Sequence, residues 1–61
     1  MKLIDKVKKL LDSDITSYRI SKETGVSISS IGATRRGERK IDNMRLKTAE
    51  KLGEFWDKLN N

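Results

Sequence analysis

Sixty-one residues with fourteen Lys or Arg, nine Asp or Glu and no Cys, His or Pro bound the answer before any motif is sought. A chain this short makes one domain, hides only about 60% of its unfolded surface and draws roughly 3–5 kcal/mol of stability from its core. The missing Cys and His exclude thiol nucleophiles, His-based acid–base catalysis and thiolate or imidazole metal sites, and the net charge of +5 points to polyanionic partners, nucleic acid before an anionic membrane surface.

The longest apolar run is two residues, far below the ~18 needed to cross a bilayer, and Met1–Leu11 lacks the apolar centre of a signal peptide. With 34% hydrophobic and 38% charged residues, folding depends on how the few apolar side chains are spaced. Leu3, Ile4, Val7, Leu10 and Leu11 form one stripe on a helix from about Lys2 to Asp12, with Lys2, Asp5, Lys6, Lys8 and Lys9 on the other face. Asp12-Ser13-Asp14 interrupts the pattern, and Thr16 or Ser17 is placed to cap a second helix that runs to about Thr24. Gly25 stops that helix, because glycine takes the left-handed conformation without a Cβ penalty.

Ser27 caps a third helix over about Ile28–Arg35, which is rich in small residues and carries Gly32 in its interior at a cost of about 1 kcal/mol relative to Ala. Such a helix depends on its neighbours. Arg35 to Lys40 reads as a charged loop with Gly37 as the next stop, and Asp42 or Asn43 as the cap of a fourth helix through Leu52. Gly53 then reads as a bend, before a fifth helix with Phe55, Trp56 and Leu59 on its apolar side. The expected architecture is all-α: about five short helices in a single domain over residues 1–61.

The second and third helices can be tested against the helix-turn-helix, which sets two helices at ~90–120° across a tight turn and offers the second to the DNA major groove. It requires a small residue where the helices touch, a Gly-like residue in the turn and apolar residues around both. Counting Ser17 as the first position, Ile20 is fourth, Ser21 fifth, Gly25 ninth, Val26 tenth and Ile31 fifteenth, so each requirement is met in place.

The segment from Thr16 to Ile31 resembles the helix-turn-helix of phage repressor and Cro-type regulators. Arg35-Arg36-Gly37-Glu38-Arg39-Lys40, followed by Ala49-Glu50-Lys51-Leu52-Gly53, resembles a later stretch of the same family. The likeness runs from about Leu10 to Leu59. It departs from the family at Ser17 (often Gln), Ser21 (often Ala), Thr34 (usually apolar) and Ile41 (commonly Pro). The resemblance implies a lambda-repressor-like domain: a cytoplasmic transcriptional regulator of phage or plasmid type. It would bind a palindromic double-stranded DNA operator as a homodimer, with no cofactor, metal or small-molecule substrate.

With Ile31 turned inward, Ser27, Ile28, Ser29, Gly32, Ala33 and Arg36 become the base-reading candidates. Ser29 can donate or accept at several bases, Ile28 or Ala33 can meet a thymine methyl, and Arg36 suits guanine O6 and N7. Ile28 has an equal alternative in core or dimer packing, and Gly32 in plain tolerance of a surface glycine. Charge narrows the phosphate side. Between Ala33 and Lys47 lie six basic and two acidic residues, so +4 of the chain's +5 falls there. Arg35, Arg39 and Lys40 are the expected phosphate contacts, joined by Asn43 at a helix start and by Ser17, Tyr18 and Lys22 from the second helix. Trp56 is expected in the core, and Phe55 with Leu59 in a self-complementary dimer patch.

Two other readings stand beside this one. The same fold can serve as a protein-interaction module, such as an antitoxin or an inhibitor of a nucleic-acid enzyme. A membrane-surface role for the first helix is opposed by Asp5, Asp12 and Asp14 and by the lack of an aromatic on its apolar side.

Overall fold

The first three helices form where the apolar stripes and their punctuation lie. In the computed structural model, which describes residues 1–60, α1 spans Leu3–Asp12, α2 Ser17–Thr24 and α3 Ile28–Arg35. The stripe on α1 buries Val7, Leu10 and Leu11, and Ser13 ends the helix by donating both its N–H and its hydroxyl to Leu10 O. Thr16 is the cap of α2: its Oγ1 accepts the Arg19 N–H at 3.1 Å, satisfying one of the donors that every helix start leaves open.

The turn between α2 and α3 is closed from the inside. Gly25 sits at φ +78° and donates its N–H to Ser21 O at 2.8 Å, the single-bond left-handed stop of a helix. Ser21 Oγ donates to Val26 O at 2.7 Å, and Thr24 Oγ1 donates to Ile20 O at 2.6 Å while accepting the Val26 N–H at 3.2 Å. The hydroxyl at Ser21 is thus a structural bond as well as a small contact. Ser27 then caps α3 by accepting the Ser30 N–H at 3.4 Å.

The remainder differs from the expectation of five helices. A short 3₁₀ turn at Ile41–Asn43 is followed by extended backbone at Met44 and Arg45, and a single 14-residue helix, α4, spans Leu46–Leu59. The four α-helices and this turn are the regular elements among the described residues. Asp42 and Asn43 are spent in the 3₁₀ turn and cannot cap α4, whose preceding residue, Arg45, makes no side-chain cap.

Gly53 makes no bend. It is buried within α4, where a Cβ would displace the tip of the Leu3 side chain on α1. One continuous stripe therefore serves α4, and Leu52 and Phe55 enter the core together.

That core joins Val7, Leu10 and Leu11 to Ile20, Val26, Ile31, Leu52 and Phe55, with Leu3, Ile15, Ile41, Met44, Ala49 and Trp56 packed around it. α1 and α4 form the principal pair, and α2 packs on both α3 and α4. An ion pair between Lys6 Nζ and Asp57 Oδ2, 2.9 Å, ties the outer edges of α1 and α4. No helix among the described residues is long and apolar enough to cross a membrane.

Candidate nucleic-acid interface

The outer face of α3 carries small side chains. Ser27, Ile28 and Ser29 are exposed, Ile28 at 48%, and Gly32 and Arg36 follow on the same side at helical spacing. Ser30 is half-buried. Ala33, expected on this face, is only 8% exposed. The chain doubles back there: Glu38 N–H donates to Ala33 O at 2.9 Å and Gly37 N–H to Thr34 O at 3.1 Å, with Gly37 at φ +80°. That pair of bonds is the Schellman closure of a helix, and Ala33, buried at its start, is withdrawn from the outward set expected of it.

The two consecutive arginines part company. Arg35 points inward, donating from Nη1 to Ser17 Oγ at 3.1 Å and from Nη2 to Leu10 O at 3.4 Å and Ser13 O at 3.5 Å. Its Nε is buried without a partner. Arg35 therefore clamps the end of α3 to the end of α1 and the start of α2, with both terminal nitrogens donating within the fold; the expected phosphate contact is corrected to a structural role. Ser17, which accepts from it, keeps its own hydroxyl proton free to donate.

Arg36 points outward and pairs with Glu38: Nε lies 2.6 Å from Oε2, and Nη2 lies 3.4 Å from Oε1. The hydrogen bond first, and the attraction between the charges second, lower the Glu38 carboxyl below its ordinary range and raise the Arg36 guanidinium further.

Next to α3, a cleft of about 680 Å³ runs between its last turns, the following loop and the start of α4. Arg39, Lys40 and Asn43 line it, together with Ser30, Thr34, Glu38, Met44, Arg45 and Thr48. Arg39 Nη1 donates to Ser30 Oγ at 3.4 Å, which holds the loop against α3. The first intrahelical bond of α4 is Ala49 N–H to Arg45 O, 3.0 Å, so the amides of Leu46, Lys47 and Thr48 belong to the open first turn of the helix. Arg45 and Thr48 escaped the sequence reading because the helix start was placed two or three residues too early, although the charge run already contained Arg45.

Tyr18, 67% exposed, and Lys22 both lie on the outer side of α2. Phe55 is 5% exposed and belongs to the core, with the Arg19 guanidinium 5.8 Å from its ring centroid. It cannot contribute to an outer dimer patch, whereas Leu59 remains exposed. Trp56, next along the helix, is half-buried against the core. Phe55 thus takes the deeper of the two places and Trp56 the core margin, because the unbroken α4 carries its inward phase across Gly53. No protein-family model and no curated protein matches this sequence.

Proposed function

We propose that this chain is a sequence-specific double-stranded DNA-binding regulator of the phage repressor and Cro type, built on a helix-turn-helix formed by α2, the Gly25 turn and α3. The observation that carries the reading is the division of α3 into two sides. Its inner side is fastened by Ile31, the Arg35 clamp and the hydrogen-bonded turn, while its outer side offers Ser27, Ile28, Ser29, Gly32 and Arg36. Small side chains there let the helix backbone approach base edges, and the adjoining cleft offers Arg39, Lys40 and Arg45 to the phosphates flanking the groove. Asn43 and the first-turn amides of α4 add neutral donors beside them. Ser17, Tyr18 and Lys22 meet the backbone from the start of α2.

A domain of this size gains stability and reach from pairing, so the operator is a palindrome read by a homodimer whose contact includes Leu59. The setting is cytoplasmic. Selection from a randomised duplex pool at moderate salt tests the reading: enrichment of one related set of sites supports it, and a pool that stays random contradicts it. Exposed Tyr18, Ile28 and Leu46, the last at 69%, favour a second reading as a protein-interaction module. A protein complex that persists in excess of the selected duplex would favour that second reading.

A further inference from the structure

The Arg35 clamp leaves a charge unanswered inside the fold. Arg35 is half-buried, and its guanidinium donates only to neutral oxygens: Ser17 Oγ at 3.1 Å, Leu10 O at 3.4 Å and Ser13 O at 3.5 Å. Its Nε is buried without a partner. The ion pairs among the described residues, Lys6–Asp57 and Arg36–Glu38, do not include it. The carbonyl end of α1 offsets part of the charge, but a partly desolvated cation without a carboxylate is costly to keep.

Ser17 leaves a proton unspent at the same place. Ser13, Ser21, Thr24 and Thr34, half-buried like it, each donate their hydroxyl proton to a backbone carbonyl. Ser17 Oγ accepts from Arg35 Nη1 and, among the described residues, donates to no partner. It is the first residue of α2, where the Ser17 and Tyr18 amides are also open. The Arg19 N–H is taken by Thr16 Oγ1, and the Ile20 N–H by Thr16 O.

A hydroxyl that accepts from a charged donor becomes a stronger donor itself, because successive hydrogen bonds polarise one another. An anionic oxygen suits it best, since that oxygen takes the proton and answers the charge behind it. In a helix-turn-helix the first helix crosses the DNA backbone, which brings phosphates to this end of α2.

Resting on the DNA-binding reading above, we infer that Arg35 is a positioning residue for the duplex, which holds Ser17 Oγ from inside the fold so that its hydroxyl proton goes to one backbone phosphate. Arg35 does not touch the DNA. Its charge acts through Ser17, in the order guanidinium, hydroxyl, phosphate, and leaves the sequence preference of α3 unaltered. Arg39 and Lys40 are exposed and need no such intermediary.

The test places a neutral methylphosphonate at one backbone position at a time in the selected duplex. The wild-type chain, Ser17→Ala and Arg35→Met are titrated with each duplex, well below their melting temperatures. In the wild type, neutralising the phosphate that Ser17 meets weakens binding about tenfold. Ser17→Ala binds the unmodified duplex about three- to tenfold more weakly and loses most of its sensitivity at that position alone. Arg35→Met shows the same loss at the same position, with the profile at every other phosphate kept. A purely structural clamp would lower the whole profile and leave its shape unchanged.

The buried Arg35 Nε–H reports the same link in the wild-type chain, without any substitution. Its NMR resonance shifts when the selected duplex is added, and shifts less with the duplex neutralised at the Ser17 phosphate. A wild-type profile in Ser17→Ala or Arg35→Met, or an Nε–H resonance that responds alike to both duplexes, overturns the inference and leaves DNA binding standing. A wild-type chain that selects no duplex overturns the DNA-binding reading, and the inference with it.

Discussion

Arg35 and Arg36 are chemically identical neighbours with opposite tasks. A rotation of about 100° per residue separates them, and one guanidinium closes the fold while the other lies on its surface. Arg35→Met removes the donors to Leu10 O, Ser13 O and Ser17 Oγ and keeps the aliphatic packing. A thermal or urea melt is expected to show a loss of about 1–2 kcal/mol, with an intact duplex preference in the folded fraction. An unchanged melt contradicts the clamp. Glu38, held ionised by Arg36, titrates below an ordinary glutamate; its pairing persists above that lowered value and is lost as the pH falls through it. Carboxyl shifts followed by NMR should move back towards the ordinary range in Arg36→Ala, with Arg39 left as the weaker cause of lowering.

Sequence set both arginines on the outside, Arg36 towards bases and Arg35 towards phosphates, because α3 contains only Ile28 and Ile31 as large apolar residues to fix its phase. Ala33 was misplaced for the same reason: with so few large apolar residues to set the phase, its burial at 8% exposure could not be read from the helix alone.

At the scale of elements, α1, α2 and α3 were legible to within a residue. Their apolar stripes end at Ser13, Gly25 and Gly37, and each of those residues has one conformational task. α4 was legible only in pieces. A glycine inside a stripe reads equally as a bend or as a close helix contact, and Asp42-Asn43 offers caps that a 3₁₀ turn can also use. The position of Leu3 on the neighbouring helix decides the matter, and no local pattern contains it.

Gly53→Ala tests this directly. Alanine gains about 1 kcal/mol as a helix former, but its Cβ must displace the tip of Leu3. The gain should be largely cancelled in the wild-type background and recovered in Leu3→Ala, as read by a double-mutant cycle on unfolding free energies. Equal effects in both backgrounds contradict the contact. In the turn, Ser21→Ala leaves Val26 O without its donor and should cost about 1 kcal/mol.

Across the whole molecule, charge and packing are segregated. α1 and α4 supply most of the core, and the cationic excess gathers along the cleft beside α3. The fold divides the residues expected on the outside: Arg35, Ala33 and Phe55 turn inward, while Arg39, Lys40, Asn43 and also Arg45 gather around one cleft. The DNA-binding account gives that cleft a measurable signature. Lys40→Ala should leave the melting temperature unchanged and weaken all duplexes alike, reducing the slope of log K against log salt by about 0.9. A slope equal to the wild type's removes Lys40 from the phosphate set.

The central claim is that the outer face of α3 and the adjoining cleft meet duplex DNA. Titrating ¹⁵N-labelled protein with its selected duplex and following the amide resonances tests that claim most directly. The account predicts shifts concentrated at Ser27–Ser29, Gly32, Arg36 and the residues from Arg39 to Thr48, with the outer face of α1 around Lys2, Lys8 and Lys9 left unmoved. Shifts centred on α1, or none along α3, would contradict it.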